Sequence, residues 1–109
     1  MKFLPGQWLD VHIPGLKKAG GFTITSSPQE ALPEGEESAR VSGRIPFIEL
    51  AVKNSPENPA AAWLWQSPET ILNTPLTVRV GGSFVWPPPD LTLPRLKRLV
   101  LVAGGVGIK

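Results

Sequence analysis

Trp8-Leu-Asp-Val-His-Ile13 is the stretch that decides the fold, because apolar and polar residues alternate in it between two turn signals. In an extended chain, alternate side chains point to opposite sides. The apolar set is Leu9, Val11 and Ile13, and the polar set is Asp10 and His12. Pro5-Gly6 precedes the stretch and Pro14-Gly15 follows it. The pattern predicts a short strand with one face in a hydrophobic core.

Working outward, further short extended segments follow the first. The sequence has 13 prolines and 11 glycines, which disfavour long helices. Short strands joined by turns are therefore predicted. The predicted strands are Phe22–Thr25, Ile48–Val52, Leu76–Val80 and the short Phe84–Trp86.

Two short helices are predicted between the strands Ile48–Val52 and Leu76–Val80. Asn58 is a good N-cap with Pro59 at the first helical position, and the helix would run from Ala60 to Gln66. Ser67 is a candidate cap for a second helix that begins with Pro68. Residues 29–44 are polar, with a Glu-rich centre, and predict a surface loop.

The last segment differs from the rest. Leu99–Ala103 is apolar on both faces and runs into Gly104-Gly105-Val106-Gly107. Strands that are apolar on both faces are typical of parallel sheets covered by helices. The sequence therefore predicts one β domain over residues 1–98 and the first strand of an α/β domain over residues 99–109.

Composition excludes several classes of function. The net charge of +2 is small and its basic residues are scattered, so nucleic-acid binding is not expected. Cysteine is absent, and His12 cannot build a metal site alone, so no metal site is predicted. No apolar stretch is long enough to span a bilayer, and no targeting segment is recognisable. No nucleophile–base pair is visible, so no catalytic residue is assigned.

Four segments, in order, resemble the landmarks of the ferredoxin–NADP reductase superfamily, whose flavin domain is the FAD-binding FR-type domain. Their order and spacing across most of the chain make the resemblance specific. One departure is that the family's flavin-phosphate arginine aligns with Gly20. The segments are Phe3-Leu-Pro-Gly-Gln-Trp8, Phe22-Thr-Ile-Thr-Ser-Ser-Pro28, Val80-Gly-Gly-Ser-Phe84 and Leu101-Val-Ala-Gly-Gly-Val-Gly-Ile108.

The resemblance implies an all-β fold, an antiparallel Greek-key β-barrel with one or two short helices. It also implies that the barrel's N-terminal strand is missing and that the NAD(P)-binding domain is truncated after its first strand. The implied function is the FAD-binding portion of an NAD(P)H-dependent flavin oxidoreductase, which passes electrons from nicotinamide through flavin to an unknown acceptor. The implied cofactors are FAD and, as substrate, NAD or NADP. The implied location is mitochondrial, and otherwise cytoplasmic.

The resemblance also implies site residues. Phe22 would stack on the flavin, Thr23 would hydrogen-bond near its N5, and Ile24, Thr25 and Ser26 would complete the flavin strand. The backbone N–H groups of Ala60, Ala61 and Ala62 would seat the pyrophosphate. Gly104, Gly105 and Gly107 would approach a nicotinamide nucleotide, but without the following helix this chain alone should lack that site.

Other interpretations of the same residues stay open. Phe22 could be a core residue beside a β-forming Thr23, and the helix after Asn58 could be a plain surface helix packed through Trp63 and Leu64. The whole chain could then be a non-catalytic β-barrel interaction module or an inactive truncated fragment.

Overall fold

The computed structural model describes residues 1–32 and 43–105. This part of the chain contains four strands, two short α-helices and one 3₁₀ turn, so the fold is predominantly β. In chain order they are β1 (Trp8–His12), β2 (Gly20–Ile24), β3 (Leu50–Ala51), α1 (Pro59–Leu64), α2 (Pro68–Ile71), β4 (Thr77–Gly81) and the 3₁₀ turn Leu93–Arg95.

The strands form one antiparallel sheet in the order β3-β2-β1-β4. β1 is an inner strand, with Leu9 opposite Phe22 on one side and Val80 on the other. β4 returns to pair with β1 after the long connection that carries both helices. This spatial order is that of a four-stranded Greek-key motif.

The sheet does not close, so the expectation of a closed β-barrel is wrong for the described residues. β3 and β4 form its two edges and do not pair with each other. β3 spans only two residues, fewer than the predicted Ile48–Val52, and offers little backbone for further pairing. What the structure contains is an open four-stranded antiparallel sheet with short helices.

The hydrophobic core lies on one face of this sheet, and the alternation in β1 is confirmed. Leu9, Val11 and Ile13 are buried, whereas His12 is exposed. Helix α1 covers this face with two small side chains. The buried cluster consists of Leu9, Val11, Ile13, Phe22, Ala60 and Ala61.

Helix α1 begins where the sequence predicts. The Asn58 Oδ1 atom accepts hydrogen bonds from the backbone N–H groups of Ala60 (3.1 Å) and Ala61 (3.3 Å). These bonds satisfy two of the amide groups that a helix start leaves without partners. The helix ends at Leu64, two residues before the predicted Gln66. Trp63 and Leu64 pack against the core, in agreement with the open interpretation of a helix packed through these two residues.

Two segments predicted as strands have no strand structure. Phe84–Trp86 is irregular and is held by a hydrogen bond from Trp86 N–H to Pro5 O (2.9 Å). Leu99–Ala103 is also irregular and exposed. A strand that is apolar on both faces needs neighbouring strands and covering helices, and the described residues supply neither to this segment.

Helix α1 packs close to the sheet at Gly20. A Cβ atom on Gly20 would lie 2.6 Å from the Ala60 Cβ and 2.7 Å from the Phe22 ring. No larger residue fits without moving the helix or the ring. The absence of a side chain at position 20 thus sets how closely α1 packs.

Replacing Gly20 with alanine is expected to destabilise the fold by roughly 1–3 kcal/mol, because the new methyl group overpacks the core. Gly21→Ala is the matched control, since the nearest atom to its Cβ, Asp10 Oδ1, lies at 3.5 Å. Urea denaturation of both variants measures the effect. Equal stability of the two variants would contradict the close contact.

Candidate functional site

The sheet face opposite the core, called the outer face, carries the side chains of Trp8, Asp10, His12, Thr23 and Arg79. Trp8 is 44% exposed although it lies in an inner strand. Cβ atoms on Gly81 and Gly82 would each come within 2.7 Å of its indole ring. The ring therefore lies against glycine backbone on one side and retains a large exposed surface.

Polar contacts hold the edge of this indole. Trp8 Nε1–H donates to Asp10 Oδ1 at 3.0 Å. The other carboxylate oxygen, Oδ2, accepts from Arg79 Nη2 at 2.8 Å and from Arg79 Nε at 3.3 Å. Asp10 lies between Arg79 and Gly21 in the strand register. The indole is thus fixed by its backbone contact and by its edge.

Asp10 is an acidic group of this face, and its environment favours the charged form. The hydrogen bond from Arg79 lowers the pKa of the Asp10 carboxyl, and the Trp8 hydrogen bond acts in the same direction. Loss of solvation raises the pKa of Asp10, but this effect is smaller than that of the Arg79 hydrogen bond. Asp10 therefore stays ionised and acts as an anchor for the indole and the guanidinium.

Phe22 lies on the core face, so the expectation that it stacks on a flavin needs correction. Its side chain is 7% exposed and contacts the buried cluster under α1. Strand alternation sends Phe22 and Thr23 to opposite faces, so the two cannot meet one flat ligand from the same side. The open interpretation of Phe22 as a core residue agrees with this placement.

Thr23 lies on the outer face, directly across from Trp8 in the register of β1 and β2. It is half-buried, and its hydroxyl has no hydrogen-bond partner within residues 1–32 and 43–105. A hydroxyl in this position can donate or accept one more hydrogen bond. The structure therefore places an exposed aromatic residue and an available hydroxyl opposite each other on one sheet face, but the aromatic residue is Trp8 and not Phe22.

The remaining residues of the expected flavin strand, Ile24, Thr25 and Ser26, make contacts within the protein. Thr25 Oγ1 donates to Glu49 Oε2 at 2.6 Å, and Ser26 Oγ accepts from the Glu49 backbone N–H at 3.0 Å. Ile24 packs against the core. These three residues fasten the end of β2 to the segment that precedes β3.

The backbone N–H groups of Ala60, Ala61 and Ala62, which were expected to seat a pyrophosphate, have partners within the protein in this structure. The first two N–H groups donate to Asn58 Oδ1, and that of Ala62 donates to Asn58 O at 2.8 Å. The methyl groups of Ala60 and Ala61 are buried in the core. All three amides already have partners, so none is left for an anion.

Gly104 and Gly105 lie in the exposed tail, with nothing near the position of a Cβ on either. They follow no strand, so they do not form the expected nucleotide turn here. Gly107 and the acidic run Glu34-Gly-Glu-Glu37 lie outside the described residues.

Within the described ranges, no cluster of three or more His, Cys, Asp or Glu residues could hold a metal ion. None of the helices there is long and apolar enough to cross a bilayer.

The arrangement of Trp8, Asp10 and Arg79 was not among the sequence predictions. The alternation of β1 already placed Asp10 opposite the core, and Trp8 shares its parity. Arg79 could not be added, because its position depends on the register between β1 and β4, which joins residues 69 positions apart.

Comparison with known proteins gives one set of relatives. The chain is 43% identical over 106 residues to the protein named "Oxidoreductase NAD-binding domain-containing protein 1" of Bos taurus. The proteins of the same name in Xenopus laevis and Danio rerio are 42% and 41% identical over 106 residues. Each match covers 97% of this chain but only 29%, 29% and 33% of the relatives. The chain thus spans about a third of their length or less. No protein-family model matches, and no solved structure does.

Asp10→Asn is expected to reduce the sensitivity of the fold to acid. The pKa of Asp10 is lowered in the folded state, so its stabilising effect is present above the unfolded-state pKa of about 3.9 and is lost as the pH falls through the lower folded value. Urea midpoints at neutral pH and at about pH 2 would measure this. The difference between the two should shrink in Asp10→Asn but not in Asp90→Asn, whose side chain forms no ion pair in the described part. An unchanged difference in Asp10→Asn would contradict the role of the Arg79 contact.

Proposed function

We propose that this chain is the flavin-binding part of an NAD(P)H-dependent oxidoreductase and that its outer face holds the flavin ring. Similarity over nearly the whole chain to proteins named as oxidoreductases with an NAD-binding domain supports the redox assignment. One observation supports the outer face as the location of the flavin ring. There the exposed, fixed indole of Trp8 lies opposite Thr23, whose hydroxyl is available.

Flavin sites require a flat partner for the ring and a few well-placed hydrogen-bonding groups. Trp8 offers a broad aromatic surface whose orientation is fixed by Gly81, Gly82 and Asp10. Aromatic stacking of this kind is most effective when the ring is held before the ligand arrives. These residues of the outer face fit the group, whereas Phe22 and the amides of α1 do not.

Each residue of the outer face would have its own role in binding the flavin ring. Trp8 would bind the flat ring and exclude water from one of its faces. Thr23 would hydrogen-bond to the edge of that ring, and the Asp10–Arg79 pair would keep the indole in place. A bound flavin supplies the redox chemistry itself, accepting electrons from a reduced nicotinamide and passing them to an acceptor. No acid–base residue of this chain is required for that step.

The assignment extends to a longer protein of the relatives' kind. We propose that residues 1–98 there belong to an FR-type flavin domain with a Greek-key barrel. Residues 99–109 would lead into the nicotinamide-binding domain, where the apolar segment could pair with neighbouring strands. A mitochondrial location is part of the same proposal, and imaging of a tagged full-length protein tests it.

FAD binding by the 109-residue chain tests the proposal. Saturable quenching of flavin fluorescence at micromolar protein is expected, and equilibrium dialysis gives the Kd. Trp8→Ala should weaken binding about three- to tenfold through loss of stacking, and Thr23→Val should weaken it by a smaller factor. Trp65→Ala is the matched control, because that tryptophan is also exposed but lies in the segment after α1.

Circular dichroism melts of every variant separate loss of binding from loss of fold. A cooperative melt without FAD binding would overturn the proposal and favour the interaction module. The absence of a cooperative melt would favour the inactive fragment. An unchanged FAD affinity in Trp8→Ala would show that the flavin ring does not bind to the outer face.

A further inference from the structure

We propose that Gln7 is a positioning residue of the outer face, which holds Gly82 against the indole of Trp8 and thereby fixes that ring for its ligand. The inference rests on the proposed function, because it concerns the same flavin site. Gln7 would not touch the flavin. It would act through the glycine backbone against which the indole lies.

The Gln7 side chain joins two segments that are far apart in the sequence. Its Nε2–H donates to the backbone carbonyl of Gly82 at 2.9 Å, across 75 positions. Its Oε1 atom accepts from the Leu4 N–H at 2.8 Å. The side chain is half-buried, and both polar atoms of its amide have partners inside the protein. Only a side chain that carries both a donor and an acceptor can make this pair of contacts.

The carbonyl of Gly82 lies just past the end of β4, whose last residue is Gly81. The register of β1 and β4 pairs Trp8 with Gly81, so one further step along both chains places Gln7 beside Gly82. Gly82 has a φ of +98°, a conformation that favours glycine. The Gln7 side chain therefore fastens the backbone at the point where the strand pairing stops.

The indole of Trp8 lies directly against this glycine. A Cβ atom on Gly82 would lie 2.7 Å from Cζ3 and 2.8 Å from Cε3 of the ring, so backbone and ring are in close contact. These two atoms belong to the six-membered part of the indole, away from the Nε1–H that donates to Asp10. Asp10 thus holds one end of the indole directly, and Gln7 holds the other end through Gly82.

The turn that carries Gln7 is itself anchored. The Gln7 N–H donates to Leu4 O at 3.2 Å, and the Trp86 N–H donates to Pro5 O at 2.9 Å. The segment that follows Gly82 therefore returns to the same turn. The Gln7 amide reaches Gly82 from a base that is fixed on both sides.

Gln7→Glu removes the donor to Gly82 and places a carboxylate oxygen near its carbonyl oxygen at neutral pH. NMR spectra of the ¹⁵N-labelled 109-residue chain measure the effect without any ligand. The indole Nε1–H resonance of Trp8, assigned from its absence in Trp8→Ala, should shift or broaden. The indole resonance of Trp65, which donates to a backbone carbonyl elsewhere, should not change.

FAD binding then measures the consequence for the site. Gln7→Glu should weaken it about three- to tenfold at neutral pH, as Trp8→Ala should, because the substitution acts through the same ring. The two losses should not add, so Gln7→Glu should change the affinity of Trp8→Ala by less than about twofold. Gln66→Glu is the matched control, since that side chain is exposed and forms no hydrogen bond in the described ranges.

The pH dependence of Gln7→Glu separates the lost donor from a general loss of packing. Protonation of the introduced carboxyl restores an O–H donor toward Gly82 O. The facing carbonyl disfavours the charged form, so the pKa of that carboxyl should lie above its ordinary value of about 4.3. FAD affinity should therefore recover toward the native value, measured in parallel, as the pH falls from neutral to about 4.5. Asp10 stays ionised over this range, because its pKa is lowered.

Gln7→Met keeps the length of the side chain without the donor or the acceptor. It should also weaken FAD binding, but without recovery at low pH, and it replaces Gln7→Glu if that variant lacks a cooperative melt. An unchanged Trp8 resonance in both variants, additive losses with Trp8→Ala, or equal pH profiles of the two variants would each overturn the inference. A Trp8 resonance that responds in a native chain that binds no FAD would support the positioning role and overturn the flavin proposal.

Discussion

The contact of α1 with β2 at Gly20 is the constraint on which the rest of the structure depends. With no side chain at position 20, Ala60 reaches the sheet and the Phe22 ring lies beside it. Two small residues, Ala60 and Ala61, then close the core over β1. A larger side chain at position 20 would not fit under this helix.

One consequence is that only one face of the sheet remains available for a flat ligand. The core face is occupied by α1 and by the buried cluster, and Phe22 belongs to that cluster. On the outer face, two glycines lie under the indole of Trp8, and Asp10 holds its edge. Such an arrangement leaves a large part of the indole ring in contact with solvent. The sequence suggested Phe22 and Thr23, which are neighbours in one strand, as the aromatic group and the hydroxyl. On the outer face the aromatic group is instead Trp8 of the neighbouring strand.

The apolar tail has a different relation to the fold. Val100, Leu101 and Val102 are more than four-fifths exposed, and no described strand pairs with them. Together with Pro5, Phe84 and Trp86 they line an open groove of about 480 Å³. In a longer protein, such a segment would bury its side chains by pairing on both edges. Within the described residues, the tail therefore adds no strand to the sheet.

The sequence by itself determined where β1 and α1 lie in this protein. The alternation of residues 8–13 was enough to place β1 and its buried face, and Asn58-Pro59 was enough to place the start of α1, because both depend on residues close in the chain. The tertiary structure alone decided the candidate site. Strand register brought Arg79 to Asp10, and α1 buried Phe22 and used the amides of residues 60–62 through Asn58. Those outcomes arise from pairings between distant segments, which local patterns do not encode.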